Sequence, residues 1–141
     1  MTRAEIETLF ARRDRAIQRR DAAAVTAFYA ADAVVESPTA GRVVQGREEI
    51  EAVFRTWFEG FPDMTFTGVS LLIDGDRAAW IAEVHGTDSG GFLGLPPTLK
   101  PFKLPILMLC MLRDGAIVHE RRIYDFTGML IQIGVLKAKP M

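Results

Sequence analysis

Asp125 stands at the end of a β-rich segment, with Thr127 and Gly128 just beyond it and a short apolar tail after that. A carboxylate there can face a closed pocket, the setting for general acid/base work, which makes it the first candidate for chemistry. The same residue types also fit a cap, in which the Asp125 side chain accepts the backbone N–H groups of Thr127 and Gly128. Arg121 precedes Asp125 by four residues, so strict alternation puts both on one strand face. Arg13 lies inside an apolar stripe of Ile6, Leu9, Phe10, Ala16 and Ile17. It is either a snorkelling side chain or a cation at the rim of a pocket.

These residues need elements to position them. Thr2 and Glu5 have capping-box spacing, and the stripe around Arg13 has helical period, so an amphipathic helix opens the chain. Asp21 caps a shorter helix carrying Val25, Phe28 and Tyr29, and residues 33–37 read as a short strand stopped by Pro38. A third helix spans residues 47–60, with Ile50, Val53, Phe54, Trp57 and Phe58 on one face. Those rings pack a core and would equally wall a flat apolar ligand. Beyond Pro62 the period falls to two. Strands are expected over 64–73 and 77–86, joined at Asp74-Gly75-Asp76, and over 104–113 and 116–125, joined at Asp114-Gly115.

Helices followed by an antiparallel meander make the fold class α+β. The loop 86–101 between the hairpins carries Phe92, Leu93 and Leu95, apolar side chains able to close a lid over a cavity mouth. Ile106 to Leu112 is an unbroken apolar run, so both faces of that strand want cover, and a second copy of the chain is the simplest cover for one of them. Pro105 predicts that regular pairing starts just after it or that a bulge sits there.

With 141 residues the chain is expected to form one domain. Charged residues make up 25% and the formal net charge is −1, which offers no large field of one sign for nucleic acid or an anionic membrane. No apolar run approaches a membrane span and the first residues lack a secretory plan, so a cytoplasmic location is expected. The single cysteine, Cys110, falls in an apolar strand as a small hydrophobe. Two histidines and no Cys/His cluster give no metal signature, and no cofactor is expected.

The stretch 115–134 also resembles the C-terminal signature of SnoaL-like proteins in the nuclear transport factor 2-like superfamily. The matching residues are Gly115, Ile117, Val118, Tyr124, Asp125, Gly128, Met129, Leu130, Gln132, Ile133 and Gly134. Residues 20–57, with Asp21, Phe28, Tyr29, Pro38, Gly46, Arg47, Ile50 and Phe54, resemble the helix-strand-helix opening of ketosteroid isomerase-like and SnoaL-like proteins. Residues 86–98 resemble a SnoaL-like loop usually written Gly-Thr-His-x-Gly with a later Gly-x-Pro-Pro-Thr.

The resemblance implies three N-terminal helices packed on a curved antiparallel sheet, a cone with a deep apolar cavity, and a homodimer through the outer sheet face. It also implies a polyketide cyclase in which Asp125 serves as general acid/base for an aldol closure. Burial would raise its pKa so that it exchanges protons near neutral pH. Asp88 occupies the place of the usual loop histidine; His85, three residues earlier and on the face of Glu83, is either its substitute or a surface or hydrogen-bonded residue paired with Glu83. Arg121 and Arg122 replace a Trp-acid pair before Tyr124.

Steroid isomerisation by the ketosteroid isomerase mechanism is not expected. Ser37 stands where its base would be, Arg13 where its first-helix tyrosine would fall, and residues 104–112 contain no acid.

Two classes of function follow. One is a cofactor-independent cyclase, isomerase or hydrolase acting on an apolar carbonyl compound. There Asp125, His85 and Asp88 would be catalytic, and Arg13, Phe54, Trp57, Phe58, Phe92, Arg121 and Tyr124 would contact substrate. The other is a binding module that holds an apolar small molecule in the same cavity without converting it.

Overall fold

The computed structural model describes residues 1–39 and 43–138. Helix α1 (Arg3–Gln18) begins at the expected capping box, with Thr2 Oγ1 accepting from the Glu5 N–H and the Glu5 carboxylate accepting from the Thr2 N–H. Helix α2 (Ala22–Thr26) is capped by Asp21, but it ends before Phe28. Tyr29 instead opens strand β1 (Tyr29–Glu36), which is longer at its start than the residues 33–37 expected. β2 (Val43–Gln45) leads into α3 (Arg47–Gly60), the aromatic helix, over the range its periodicity indicates.

Strands β3 (Thr65–Asp74), β4 (Arg77–Thr87), β5 (Pro101–Arg113) and β6 (Ala116–Tyr124) form the meander, and a short helix α4 (Phe126–Gln132) closes the described fold. Asp114 and Gly115 both have positive φ, +52° and +81°, as a tight turn matched to the right-handed strand twist requires.

The six strands run in the order β2-β1-β6-β5-β4-β3. The sheet is mixed, not purely antiparallel, because β1 lies parallel to β6. Short range explains the meander, but β1 reaches its place through the intervening helix and two hairpins, and nothing in its own sequence sets that direction. Pro105 sits inside regular β4–β5 pairing, opposite Glu83, with no bulge. The β5–β6 ladder begins one residue later at Ile106 and Tyr124, so the missing proline N–H falls where β6 offers no partner.

A bulge does occur in β6. Leu112 pairs with Ile117 and Met111 with His119, which leaves Val118 as an extra residue. Below it, Glu120 and Arg122 are buried and Arg121 and Ile123 exposed, so the inward residues are 117, 120, 122 and 124. Counting by twos from Ile117 would have turned 119, 121 and 123 inward.

Helices α1 and α3 pack against the sheet and α2 against both of them, with Ile6, Phe10, Val25, Tyr29, Ile50 and Phe61 fully or almost fully buried. The outer face of β5 is uncovered. Leu109 is 40% and Met111 46% exposed, beside Ile123 at 52% on β6. No helix among the described residues is long and apolar enough to cross a membrane.

Candidate functional site

An apolar cavity lies between α3 and the inner face of the sheet, walled by Phe54, Trp57 and Phe58 from α3, by Ile106 and Met108 from β5, and by Met129 from α4. Aromatic spacing along α3 is what builds its wall. Phe54 and Phe58 stack at 6.0 Å, and Trp57 turns its ring onto Tyr124 at 5.6 Å. Free space inside is about 30 Å³, room for little more than a water-sized guest. Ligand pockets generally hold about 300 Å³ or more, so a substrate must push the walls outward. Three methionines of the lining, Met64, Met108 and Met129, are the side chains best able to yield.

Two strand residues bring polar atoms to this lining, Arg122 and Tyr124, both on the inward face of β6. Arg122 is 6% exposed and its guanidinium sits 4.5 Å over the Phe54 ring. Its Nε donates to Glu120 Oε2 at 2.7 Å, while Nη2 is buried without an acceptor. A buried N–H left unpaired costs about 1–3 kcal/mol, and an acceptor supplied from outside the protein would relieve that cost. The Tyr124 hydroxyl bonds to Thr39 Oγ1 and lies 3.3 Å from Ser37 Oγ.

Behind Arg122 is a charged cluster with no exposure. Glu120 Oε1 accepts from the Tyr29 hydroxyl at 2.5 Å and from Arg13 Nη2 at 3.2 Å. Arg13 also reaches Asp14, at 3.6 Å, and lies over the Trp80 ring at 5.3 Å, while the Trp80 indole N–H donates to Asp14. Burial by itself would raise the Glu120 pKa. The charges of Arg122 and Arg13 and the Tyr29 hydroxyl outweigh it and hold Glu120 below the usual carboxylate range. Burial, with Glu120 nearby, pushes both the Tyr29 hydroxyl and the Cys110 thiol up, so they stay neutral. Arg122 is kept charged by Glu120 against the effect of its own burial.

The expected site residues are only partly gathered here. Phe54, Trp57, Phe58 and Tyr124 line the cavity. Phe92 is buried one layer behind, its ring 4.8 Å from Trp57 and 4.9 Å from Phe61. Asp125 is exposed, absent from the lining, and caps α4 by accepting the Gly128 N–H at 2.9 Å. Expecting it to face the cavity is therefore corrected, and the capping alternative describes its place. A Cβ on Gly128 would run into that carboxylate, which accounts for the Asp-x-x-Gly spacing on structural grounds.

Arg121 points outward, because of the Val118 bulge, and Arg122 takes the inward place. Arg13 neither snorkels nor rims the pocket. It is fully buried and ties Glu120 from behind. His85 lies on the outer face of β4, where Nε2 meets Glu83 Oε1 at 3.0 Å and Thr67 Oγ1 at 3.3 Å. Asp88 is buried in the loop it opens, with Oδ2 accepting from the Thr98 N–H at 3.1 Å and hydroxyl at 2.9 Å.

That loop is held as a packed unit. The Gly90 N–H donates to the Gly60 carbonyl at 3.1 Å, and a Cβ on Gly90 would collide with the Glu59 carbonyl. Its glycines let it press on the end of α3.

Glu120, Tyr29 and Arg122 are the residues sequence reasoning missed. One signal could have found them: an arginine in the middle of an apolar helical stripe demands a buried acid, and Glu120 is the acid on the strand that faces it. Among the described residues, no group of three or more His, Cys, Asp or Glu side chains is gathered to hold a metal ion.

A family model described as SnoaL-like polyketide cyclase matches residues 7–133. Among solved structures, IdmH from Streptomyces antibioticus, a candidate polyketide cyclase, is 32% identical, with 91% of this chain and 97% of that chain covered and a TM-score of 0.75. AclR from Streptomyces galilaeus, a candidate hydroxylase, is 22% identical, with 99% and 87% covered and a TM-score of 0.84. A protein of ketosteroid isomerase-like fold from Catenulispora acidiphila, in complex with trimethylamine, is 22% identical, with 89% and 92% covered and a TM-score of 0.72. The latter two share the fold. No curated protein sequence matches the chain.

Proposed function

Because the chain belongs to the SnoaL-like polyketide cyclase family, we propose that it acts as a cyclase or isomerase on an apolar carbonyl compound, with Arg122 binding the carbonyl oxygen. The observation that carries this reading is the buried, unpartnered Nη2 of Arg122 in a wall whose only other strand-borne polar group, among the described residues, is Tyr124. Ring closure of the aldol type, like isomerisation beside a carbonyl, passes through an enolate: a base from solvent takes the proton next to the carbonyl, and the electron pair left behind gathers as negative charge on oxygen. A guanidinium already fixed in a dry site stabilises that charge more than water would, and it needs no reorganisation as the charge develops. Tyr124 adds a hydroxyl donor at the same end once it leaves Thr39.

A test that needs no knowledge of the natural substrate is deuterium wash-in. Methyl naphthyl ketone is incubated with the protein in D₂O and exchange at the methyl carbon is followed by NMR. Exchange above the protein-free rate is expected, and Arg122→Gln should cut the enhancement by about 10²–10³, the loss typical of one oxyanion donor. Exchange unaffected by Arg122→Gln overturns the assignment.

The second reading is a binding module for the same apolar ligand. One observation favours it: the carboxylates flanking the cavity are engaged elsewhere, Asp125 as a cap and Glu120 in its ion pairs. Binding of the ketone without any wash-in selects this reading.

The apolar outer face of β5 and β6 is best covered by a second copy of the chain, so a homodimer is part of the proposal. Light scattering at micromolar concentration should give twice the chain mass, and Leu109→Lys should return it to the single-chain value.

A further inference from the structure

Arg122 and Tyr124 line two spaces. One is the apolar cavity; the other is an open groove of about 330 Å³ at the ends of β1 and β6, bordered by Glu36, Ser37, Pro38, Arg121 and Ile123. The cavity and the groove therefore share a wall, and that wall is made of the cavity's strand-borne polar groups. A ligand that parts it has one end among aromatic rings and the other in a groove whose charges, among the described residues, are two guanidinia and one carboxylate. The carboxylate, Glu36, already meets His119 Nε2 at 2.8 Å. The Arg121 side chain has no hydrogen bond or ion pair among the described residues, and Arg122 retains a buried N–H with no acceptor. Donors outnumber acceptors at one end of an apolar site.

Resting on the reading that this cavity takes an apolar carbonyl compound, we propose that its ligand is an amphiphilic acid: an apolar ring system in the cavity and a carboxylate in the groove, held by Arg122 and Arg121. The sign of the preference is diagnostic. Moving a carboxylate out of water into an apolar site is costly unless it meets a cation, so a cavity without this feature must bind a neutral ketone more tightly than the acid of the same size. A charge-assisted hydrogen bond from a fixed guanidinium reverses that order.

Calorimetric titration with naphthoate and with methyl naphthyl ketone, at pH 7 and low salt, tests it. The acid is expected to bind about tenfold more tightly than the ketone, a difference well within what one hydrogen bond to a charged group supplies. Arg121→Gln, an exposed position that folding should tolerate, is expected to weaken the acid several-fold and leave the ketone unchanged; Arg122→Gln should weaken both. Equal binding of the two, tighter ketone binding, or an acid-to-ketone ratio untouched by Arg121→Gln overturns the inference while the carbonyl reading stands. If neither probe binds, the carbonyl reading falls and takes this inference with it.

Discussion

Glu120 and Asp88 are both carboxylates taken out of water, and their surroundings differ in kind. Glu120 sits between two arginines and a tyrosine, with both oxygens engaged. Asp88 meets no cation; one oxygen takes two hydrogen bonds from Thr98 and the other, Oδ1, takes none. The first arrangement joins α1, β1 and β6 and leaves Arg122 oriented toward the cavity. The second joins a loop to itself. A buried acid with charged partners fixes long-range geometry near the site, whereas one with backbone and hydroxyl partners fixes a local turn.

Glu120→Ala should produce the largest effect, because it strands the buried Arg122 guanidinium without a counter-ion and leaves Arg13 only the more distant Asp14. A loss of about 3–5 kcal/mol is expected, read from urea unfolding, and Glu120→Gln should lose less. A loss under 1 kcal/mol for the alanine variant would mean that the cluster is not a structural centre. The pH dependence sharpens the same point. Glu120 has a folded pKa below its unfolded value of 4.5, so its contribution is fully present above that value and fades as pH falls through the lower, folded one. Wild type should lose melting temperature across that acid window more steeply than Glu120→Gln.

On the other side of the comparison, Asp88→Ala removes two hydrogen bonds to Thr98 and should cost about 1–3 kcal/mol. Its mark should be local: faster amide exchange over residues 88–100, with ketone affinity changed less than threefold, on the order of 0.6 kcal/mol. A collapse of ligand binding in this variant would show that the loop reaches into the cavity after all. The smallest effect belongs to Asp125. As an exposed cap, Asp125→Ala should cost about 1 kcal/mol and Asp125→Asn almost nothing, with deuterium wash-in unchanged in both. Loss of wash-in with the asparagine variant would return Asp125 to the chemistry.

Much of the fold was legible because it is local. The capping box of α1, the aromatic face of α3 and the two hairpin turns were each written in a few adjacent residues, and each stands where its pattern put it. What escaped was non-local. The parallel placing of β1 against β6 depends on the rest of the sheet, and the ending of α2 before Phe28 reflects Tyr29 being claimed by β1 and by Glu120. Within the site, one extra residue at Val118 reversed the inward and outward positions of β6, exchanging Arg121 for Arg122 and bringing in Glu120. No periodicity count can see such an insertion, since Val118 suits a regular strand as well as a bulge. Asp125 misled for a different reason: an acid at a strand end followed three residues later by glycine reads the same whether it caps a helix or carries a proton.

Trp57 is part of the cavity wall, and together with Trp80 it is also a reporter. Trp57 borders the cavity and touches Tyr124, while Trp80 is 1% exposed, lies outside the lining, and is pinned between Arg13 and Asp14. A guest that widens the cavity changes the polarity and quenching around the Trp57 indole and leaves the Trp80 indole in the same field. The native chain thus carries a signal channel and an internal reference for fluorescence. A Trp57→Phe variant, keeping the aromatic wall, isolates the reference, and the difference between the two emission spectra reads occupancy without any label.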